Sequence, residues 1–236
     1  MRTYSYAILR TVGVAKSKLL PRCRSILRRL RAAYPKVRFA LRHDNPLQLL
    51  VATILSAQCT DARVNLVTPA LFKRYHTAAE FAAAPSAELQ SLIRSTGFFR
   101  NKARSIRNCC QGIAEKYAGK VPDSLDELIQ LDGIGRKTAN VVLGVAYGKA
   151  EGLVVDTHVM RLSRRLGLTR QTTPEKIEQA LMKIVPREDW IDFSHLLIWH
   201  GRKRCTARRP DCIQCEVADL CPKIGVKLKG DRNERT

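Results

Sequence analysis

The sequence predicts an all-α fold. Apolar residues recur at helical spacing in one segment after another, capping residues bracket those segments, and no alternating run exceeds four or five residues. Near the start, CRSILRRLRAAYP sets Cys23, Ile26, Leu27, Leu30 and Tyr34 on one helical face. NPLQLLVATILSAQ follows, with Asn45 as N-cap, Pro46 at the first helical position and a stripe of Leu47, Leu50, Val51, Ile54 and Leu55. TAAEFAAA carries a capping box, Thr77 with Glu80, and PSAELQSLIRSTG stops at Gly97. NKARSIRNCCQGIAEKYAG runs to Gly119, and SLDELIQL is a second capping box, Ser124 with Glu127. THVMRLSRRLG ends at Gly167. TPEKIEQALMKIVP has Thr173 as cap and Pro186 as stop, and EDWIDFSHLLIWHG ends at Gly201. The count comes to roughly ten short helices with short connections.

Composition narrows the function. The 236 residues are 45% hydrophobic, enough for a sizeable core and too apolar for a disordered chain. The longest apolar runs fall short of a membrane span. Lys plus Arg is 42 against 21 acids, a formal charge of +21 that attracts polyanions in a salt-dependent way. Nucleic acid is the first candidate and an anionic membrane the second. The first 43 residues hold twelve Lys or Arg and no acid, so residues 1 to 20 read as a basic extension or a targeting presequence. The start lacks the apolar core and cleavage site of a secretory signal, so the compartment reads as reducing, a bacterial cytoplasm beside the nucleoid.

The stretch LDGIGRKTANVVLGVAYG, residues 131 to 148, turns the chain between two helices. Gly133 and Gly135 permit positive φ and close approach by another backbone. At the start of the second helix, the N–H groups from Gly133 and Gly135 on toward Thr138 lack intrahelical partners and cradle an anion at the positive end of the dipole. Arg136 adds charge, and Ile134 is the apolar tip that pins the turn to the core. The alternative is a plain helical linker in which the glycines only cap. Lys137 sits on the first turn, where the dipole and Arg136 both disfavour its charged form and so favour the neutral amine of a Schiff-base nucleophile. The commoner role is a phosphate contact. VVDTHVMRL places Asp156 at another helix start, flanked by Leu153, Val154, Val155 and Val159. It reads either as an N-cap or as a carboxylate that orients the nucleophile and stabilises a positive sugar-like transition state. His158 reads as a core histidine.

Of eight cysteines, Cys23, Cys59, Cys109 and Cys110 are scattered along helical patterns and read as core or bystander thiols. Cys205, Cys212, Cys215 and Cys221 are spaced C-x6-C-x2-C-x5-C. A single C-x2-C flanked by lone cysteines favours a [4Fe–4S] cluster over zinc, with a disulfide pair third. Arg208 and Arg209 lie in the first interval, where a cluster clamping both ends would hold them rigidly for phosphate contact.

LDGIGRKTANVV, VDTHVMRL, the 6-2-5 cysteine spacing, ILSAQCTDARVN and GFFRNKARSI together resemble endonuclease III, a bifunctional DNA glycosylase of the helix–hairpin–helix superfamily. The resemblance covers residues 22 to 222. It implies two lobes with DNA across the cleft: a six-helix barrel-like domain at 39–150, whose helix–hairpin–helix spans about 124–147, and an iron–sulfur domain from 21–38 and 151–222. Residues 1–20 and 223–236 would be a basic extension and a basic tail. It implies that Lys137 attacks C1′ of a damaged pyrimidine nucleotide flipped from the duplex, displaces the base, and nicks the strand by β-elimination, with Asp156 assisting. Gln58 matches the residue that fills the vacated space, and Phe98 stands where the family usually carries a leucine wedge. Gly133, Ile134, Gly135, Arg136 and Thr138 would meet the phosphates. Asp132 replaces a usual proline, an acid that either weakens DNA affinity or points to solvent. The expected partner is double-stranded DNA with damaged pyrimidines or abasic sites, bound by a monomer. An adenine-specific mismatch glycosylase, which lacks the lysine, a monofunctional glycosylase and a non-catalytic lesion binder are the competing readings.

Overall fold

Helix ends set the architecture, because each one leaves backbone groups that something must satisfy. The computed structural model describes residues 5–37 and 39–226, and for 5–18 the backbone alone. Residues 1–4 of the expected extension and 227–236 of the expected tail lie outside the described residues. In chain order the first helices are α1 (Ser5–Ala33), α2 (Pro46–Leu55), α3 (Asp61–Arg74), α4 (Ala78–Ala83), α5 (Ser86–Ile93) and α6 (Phe99–Lys116). There follow α7 (Leu125–Leu128), α8 (Arg136–Tyr147), α9 (Thr157–Arg165), α10 (Pro174–Met182) and α11 (Trp190–Lys203). Among the described residues there is no strand, and no helix is long and apolar enough to cross a membrane. The fold is all-α.

The chain divides into two compact units, one from Met1–Val37 with Gly152–Thr236, the other Arg38–Glu151. The continuous unit holds α2 to α8 around one core. Leu49, Leu50, Val51 and Leu55 of α2, Ile106 and Cys110 of α6, and Val142 and Leu143 of α8 are all fully buried in it. Each large side chain buried there contributes about 1.5–3 kcal/mol. In the discontinuous unit, Ile26 and Leu30 of α1, Val159 and Leu162 of α9, and Phe193 and Leu197 of α11 are fully buried.

Asn45, Thr77, Ser124 and Asp156 cap their helices through the side chain, as their positions predict. Thr77 accepts the Glu80 N–H at 3.2 Å while Glu80 Oε2 accepts the His76 N–H at 2.6 Å. Thr173 differs: it starts α10 with extended backbone but makes no side-chain capping bond. Gly201 also differs from expectation. It lies inside α11, which runs on to Lys203. Its small size serves packing, since a Cβ there would meet His158 Nδ1 at 2.8 Å and Arg161 Nη2 at 3.1 Å, both on α9. Two helical stretches go beyond the sequence reading. α1 extends back through Pro21 to Ser5, and α3 forms despite Pro69 in its interior. Thr60 caps α3 by accepting the Arg63 N–H, and Val64, Val67, Thr68 and Leu71 give it a buried face.

Thr77→Ala should cost about 1 kcal/mol in urea unfolding followed by circular dichroism, whereas Thr173→Ala should cost a few tenths at most. Equal losses would mean that the Thr77 hydroxyl bond is not the source of the difference.

Candidate DNA-facing site and cysteine centre

The stretch that joins α7 to α8 is fixed by Leu131 and Ile134, both buried in the core of the continuous unit. The Ile134 N–H closes the turn on the Leu131 carbonyl at 3.1 Å. Ile134 is therefore an internal anchor, and the N–H expected to meet a phosphate is already used inside the turn. Gly133 has φ 74°, and a Cβ there would press on Ser105 at 3.2 Å, so both conformation and packing require glycine. Gly135 is different. It is the N-cap of α8 at φ −89°, and an added Cβ would meet nothing within 4 Å. Glycine is a favoured N-cap residue, and the space where a Cβ would stand is open. The first-turn amides of α8 follow, beside exposed Arg136 and Lys137. Asp132, the acid at the usual proline, accepts a hydrogen bond from Asn108 Nδ2 of α6 at 2.8 Å.

Lys137 and Thr138 line a depression of about 310 Å³ together with Gln58, Phe98 and Gly133. Gln58 and Phe98 come from two separate loops, the first between α2 and α3 and the second between α5 and α6. Both hold left-handed backbone, at φ 52° and φ 48°. Phe98 is 63% exposed, a large apolar ring presented to solvent. Behind them stands Lys102, which the sequence reading missed. It is only 5% exposed, and burial pushes its ammonium below the usual lysine range. Its sequence signal is a lysine on the same α6 face as Ala103, Ile106 and Cys110, which are all buried.

In the discontinuous unit, Asp156 Oδ1 accepts the Val159 N–H at 2.8 Å, so the capping role is real and fixes the carboxylate. His158 next to it is half-buried, 3.1 Å from Arg161 Nη2, and burial holds it below the ordinary imidazole range. Arg208 and Arg209 are exposed on the loop after Cys205.

No disulfide joins any two of the eight cysteines. Burial pushes Cys23 up to about 11 and Cys109 to about 12, which leaves them inert as core thiols. Cys205, Cys212, Cys215 and Cys221 line one cavity with Leu162, Leu166 and Val217. Four thiolates on one zinc at 2.3 Å would sit about 3.8 Å from one another. Among the described residues, the ligand atoms of His200, Cys215 and Glu216 are the one such trio all within 4.8 Å, so no three of these four sulfurs gather that tightly. The shared cavity and the all-thiol donor set fit an iron–sulfur cluster. N–H donors already point at the sulfurs: Arg165 Nη1 to Cys205 at 3.3 Å and the Lys223 N–H to Cys221 at 3.3 Å. Such donors stabilise thiolate ligands.

The loop that carries the first cysteine is held by α9. Arg165 donates to the carbonyls of Thr206 and Ala207, both at 2.7 Å. Arg161 Nη2 donates to Gly201 O and Cys205 O, both at 3.0 Å. From α1, Arg22 donates to the carbonyls of Leu166, Gly167 and Leu220 at 2.7 to 2.9 Å. Sequence reasoning did not find these arginines, because their partners lie 40 to 198 residues away.

Comparison with known proteins gives the family. A family model for HhH-GPD superfamily base excision DNA repair proteins matches residues 51–187, and one for the iron–sulfur binding domain of endonuclease III matches 205–221. The chain is 54% identical over 201 residues to the endonuclease III of Synechocystis sp., covering 85% of this chain and 92% of that protein. A structure of a non-covalent endonuclease III–DNA complex superposes with TM-score 0.81 at 45% identity, covering 85% of this chain and 94% of the other. A trapped endonuclease III–DNA covalent intermediate does so with TM-score 0.81 at 46% identity, with the same coverage. The chain belongs to the endonuclease III family. It is a base excision repair enzyme, a DNA glycosylase with abasic-site lyase activity, and its cofactor is a [4Fe–4S] cluster.

Arg165→Met should leave α9 helical but make the cluster bleach at least severalfold faster under a chelator, read at its visible absorbance. An unchanged bleaching rate would show that the Arg165 bonds do not secure the cysteine loop.

Proposed function

We propose that the enzyme removes oxidised or otherwise damaged pyrimidines from double-stranded DNA, acts on abasic sites, and works as a monomer with Lys137 as its nucleophile. The observation that carries this is the position of Lys137: exposed on the first turn of α8, in the same depression as Gln58 and Phe98. The relative whose DNA complex was trapped covalently supports a covalent route.

The hairpin holds the backbone of the damaged strand. The N–H groups of Gly133, Gly135 and Thr138 meet phosphate oxygens, and Arg136 adds charge, while the Ile134 N–H stays within the turn. Arg208 and Arg209 contact phosphates from the cysteine loop. Phe98 wedges a base step, and Gln58 occupies the space left by the extruded nucleotide. The Lys137 amine, once deprotonated, attacks C1′. The C1′–N bond breaks and the base leaves with a proton. The ring oxygen then departs from C1′ to give an iminium, C2′ loses a proton, and the C3′–O bond breaks, nicking the strand 3′ to the lesion. Asp156 assists by accepting a proton or stabilising the positive sugar, with one oxygen committed to capping α9.

We assign cluster binding to the unit built from both chain ends, and the hairpin chemistry to the unit between them. The cluster supplies a covalent cross-link among four points of the 205–221 segment. Cys23, Cys59, Cys109 and Cys110, which form no disulfide, fit a reducing compartment such as a bacterial cytoplasm.

On a thymine-glycol duplex, Lys137→Gln should abolish nicking while duplex binding survives, because the amine is the attacking group. Asp156→Asn should slow base release about a hundredfold or more without changing helical content. Retained nicking by the lysine variant would remove Lys137 from the mechanism. Unchanged base release by the aspartate variant would leave Asp156 as a cap alone.

A further inference from the structure

We propose that Lys102 is a positioning residue: its ammonium group joins the end of α2 to the turn before α6, and so holds Gln58 and Phe98 in the backbone conformations that present them to DNA. This rests on the reading of Gln58 and Phe98 as the residues that enter the duplex.

The geometry is specific. Lys102 Nζ donates to Leu55 O and to Thr96 O, both at 2.8 Å. Leu55 is the last residue of α2, three before Gln58. Thr96 is the last residue of a 3₁₀ turn, two before Phe98. The Lys102 backbone N–H also donates to Phe98 O at 3.0 Å. One residue therefore ties both loops, and both loops carry a non-glycine residue at positive φ.

Left-handed backbone is unfavourable for a bulky side chain such as phenylalanine, and it persists where the surroundings over-determine it. Lys102 supplies that determination. A charge at 5% exposure is costly to bury unless its donors are satisfied. A methionine would fill the same stem space without that cost. What the ammonium adds is two donors, directed at carbonyls that helix and turn ends leave without partners. Without them, both loops gain ordinary backbone options, and the two side chains lose their fixed presentation.

The test uses holoenzyme with Lys102→Met and Lys102→Gln, each also in a Gln58→Ala/Phe98→Ala background. The substrate is an abasic site in duplex DNA, compared with the same site in the single strand, which requires no extrusion. For Lys102→Met, the ratio of duplex to single-strand kcat/KM should fall at least tenfold, through KM more than kcat. In the Gln58→Ala/Phe98→Ala background the further fall should be under twofold, because residues acting as one unit are not additive. Hydrogen exchange should quicken in peptides spanning 56–60 and 97–99 while α8 stays protected. Lys102→Gln, which keeps an N–H donor, should recover part of the loss. Equal falls on both substrates, a full additive loss in the double background, or exchange quickened throughout would overturn the proposal. So would failure of both Lys102 variants to fold, which would make Lys102 a general core residue. A Gln58→Ala/Phe98→Ala enzyme with an unchanged ratio would instead overturn the duplex-entry reading and the DNA part of this proposal with it, while the exchange data still decide whether Lys102 clamps the loops.

Discussion

Carbonyl oxygens left over at helix and turn ends are the constraint around which both units are arranged. An α-helix cannot satisfy its last carbonyls itself, and burying them unpaired is costly. This protein meets them with long cations. Lys102 covers Leu55 and Thr96, Arg165 covers Thr206 and Ala207, Arg161 covers Gly201 and Cys205, and Arg22 covers Leu166, Gly167 and Leu220. Each cation fixes a loop, and the loops so fixed carry Gln58, Phe98 and the first cysteine.

That use of basic residues alters the meaning of the +21 charge. Not all of it is an electrostatic surface for polyanions. Arg29 pairs with Asp219, Arg31 with Asp189 and Asp192, and Arg204 with Asp211 and Glu216. These arginines are part of the scaffold of the discontinuous unit. The exposed positives at the start of α8, Arg136 and Lys137, and on the cysteine loop, Arg208 and Arg209, are a small subset. Glycine divides in a similar way. Gly133 is required by its own conformation and by Ser105, and Gly201 by α9, while Gly135 is an N-cap with open space where a Cβ would stand.

The parts of the site that the sequence displayed are local. Leu131 to Lys137 is a contiguous turn and helix start, and the four cysteines fall within seventeen residues, so spacing alone raised the phosphate-cradle and cluster readings. The helix pattern was legible for the same reason, through caps and 3.6-residue stripes. What stayed hidden depends on distant contacts. Lys102 meets Leu55 across 47 positions, and nothing near either residue signals the other. Gly201 looked like a helix stop because glycine usually is one, and only the packing of α9 explains why α11 continues through it. Helix α3 was obscured by Pro69, whose cost is offset by a buried face that shows only once the core is assembled. Thr173 had the right position for a cap, but its hydroxyl makes no such bond.

The central claim is that a phosphate-binding helix start and a nucleophilic amine are combined at Lys137. The most direct measurement is borohydride reduction of the wild-type enzyme on an abasic-site duplex, followed by peptide mapping of the adduct. A single adduct on Lys137 is the predicted result. An adduct on another amine, or no adduct from enzyme that still binds the duplex, would contradict it.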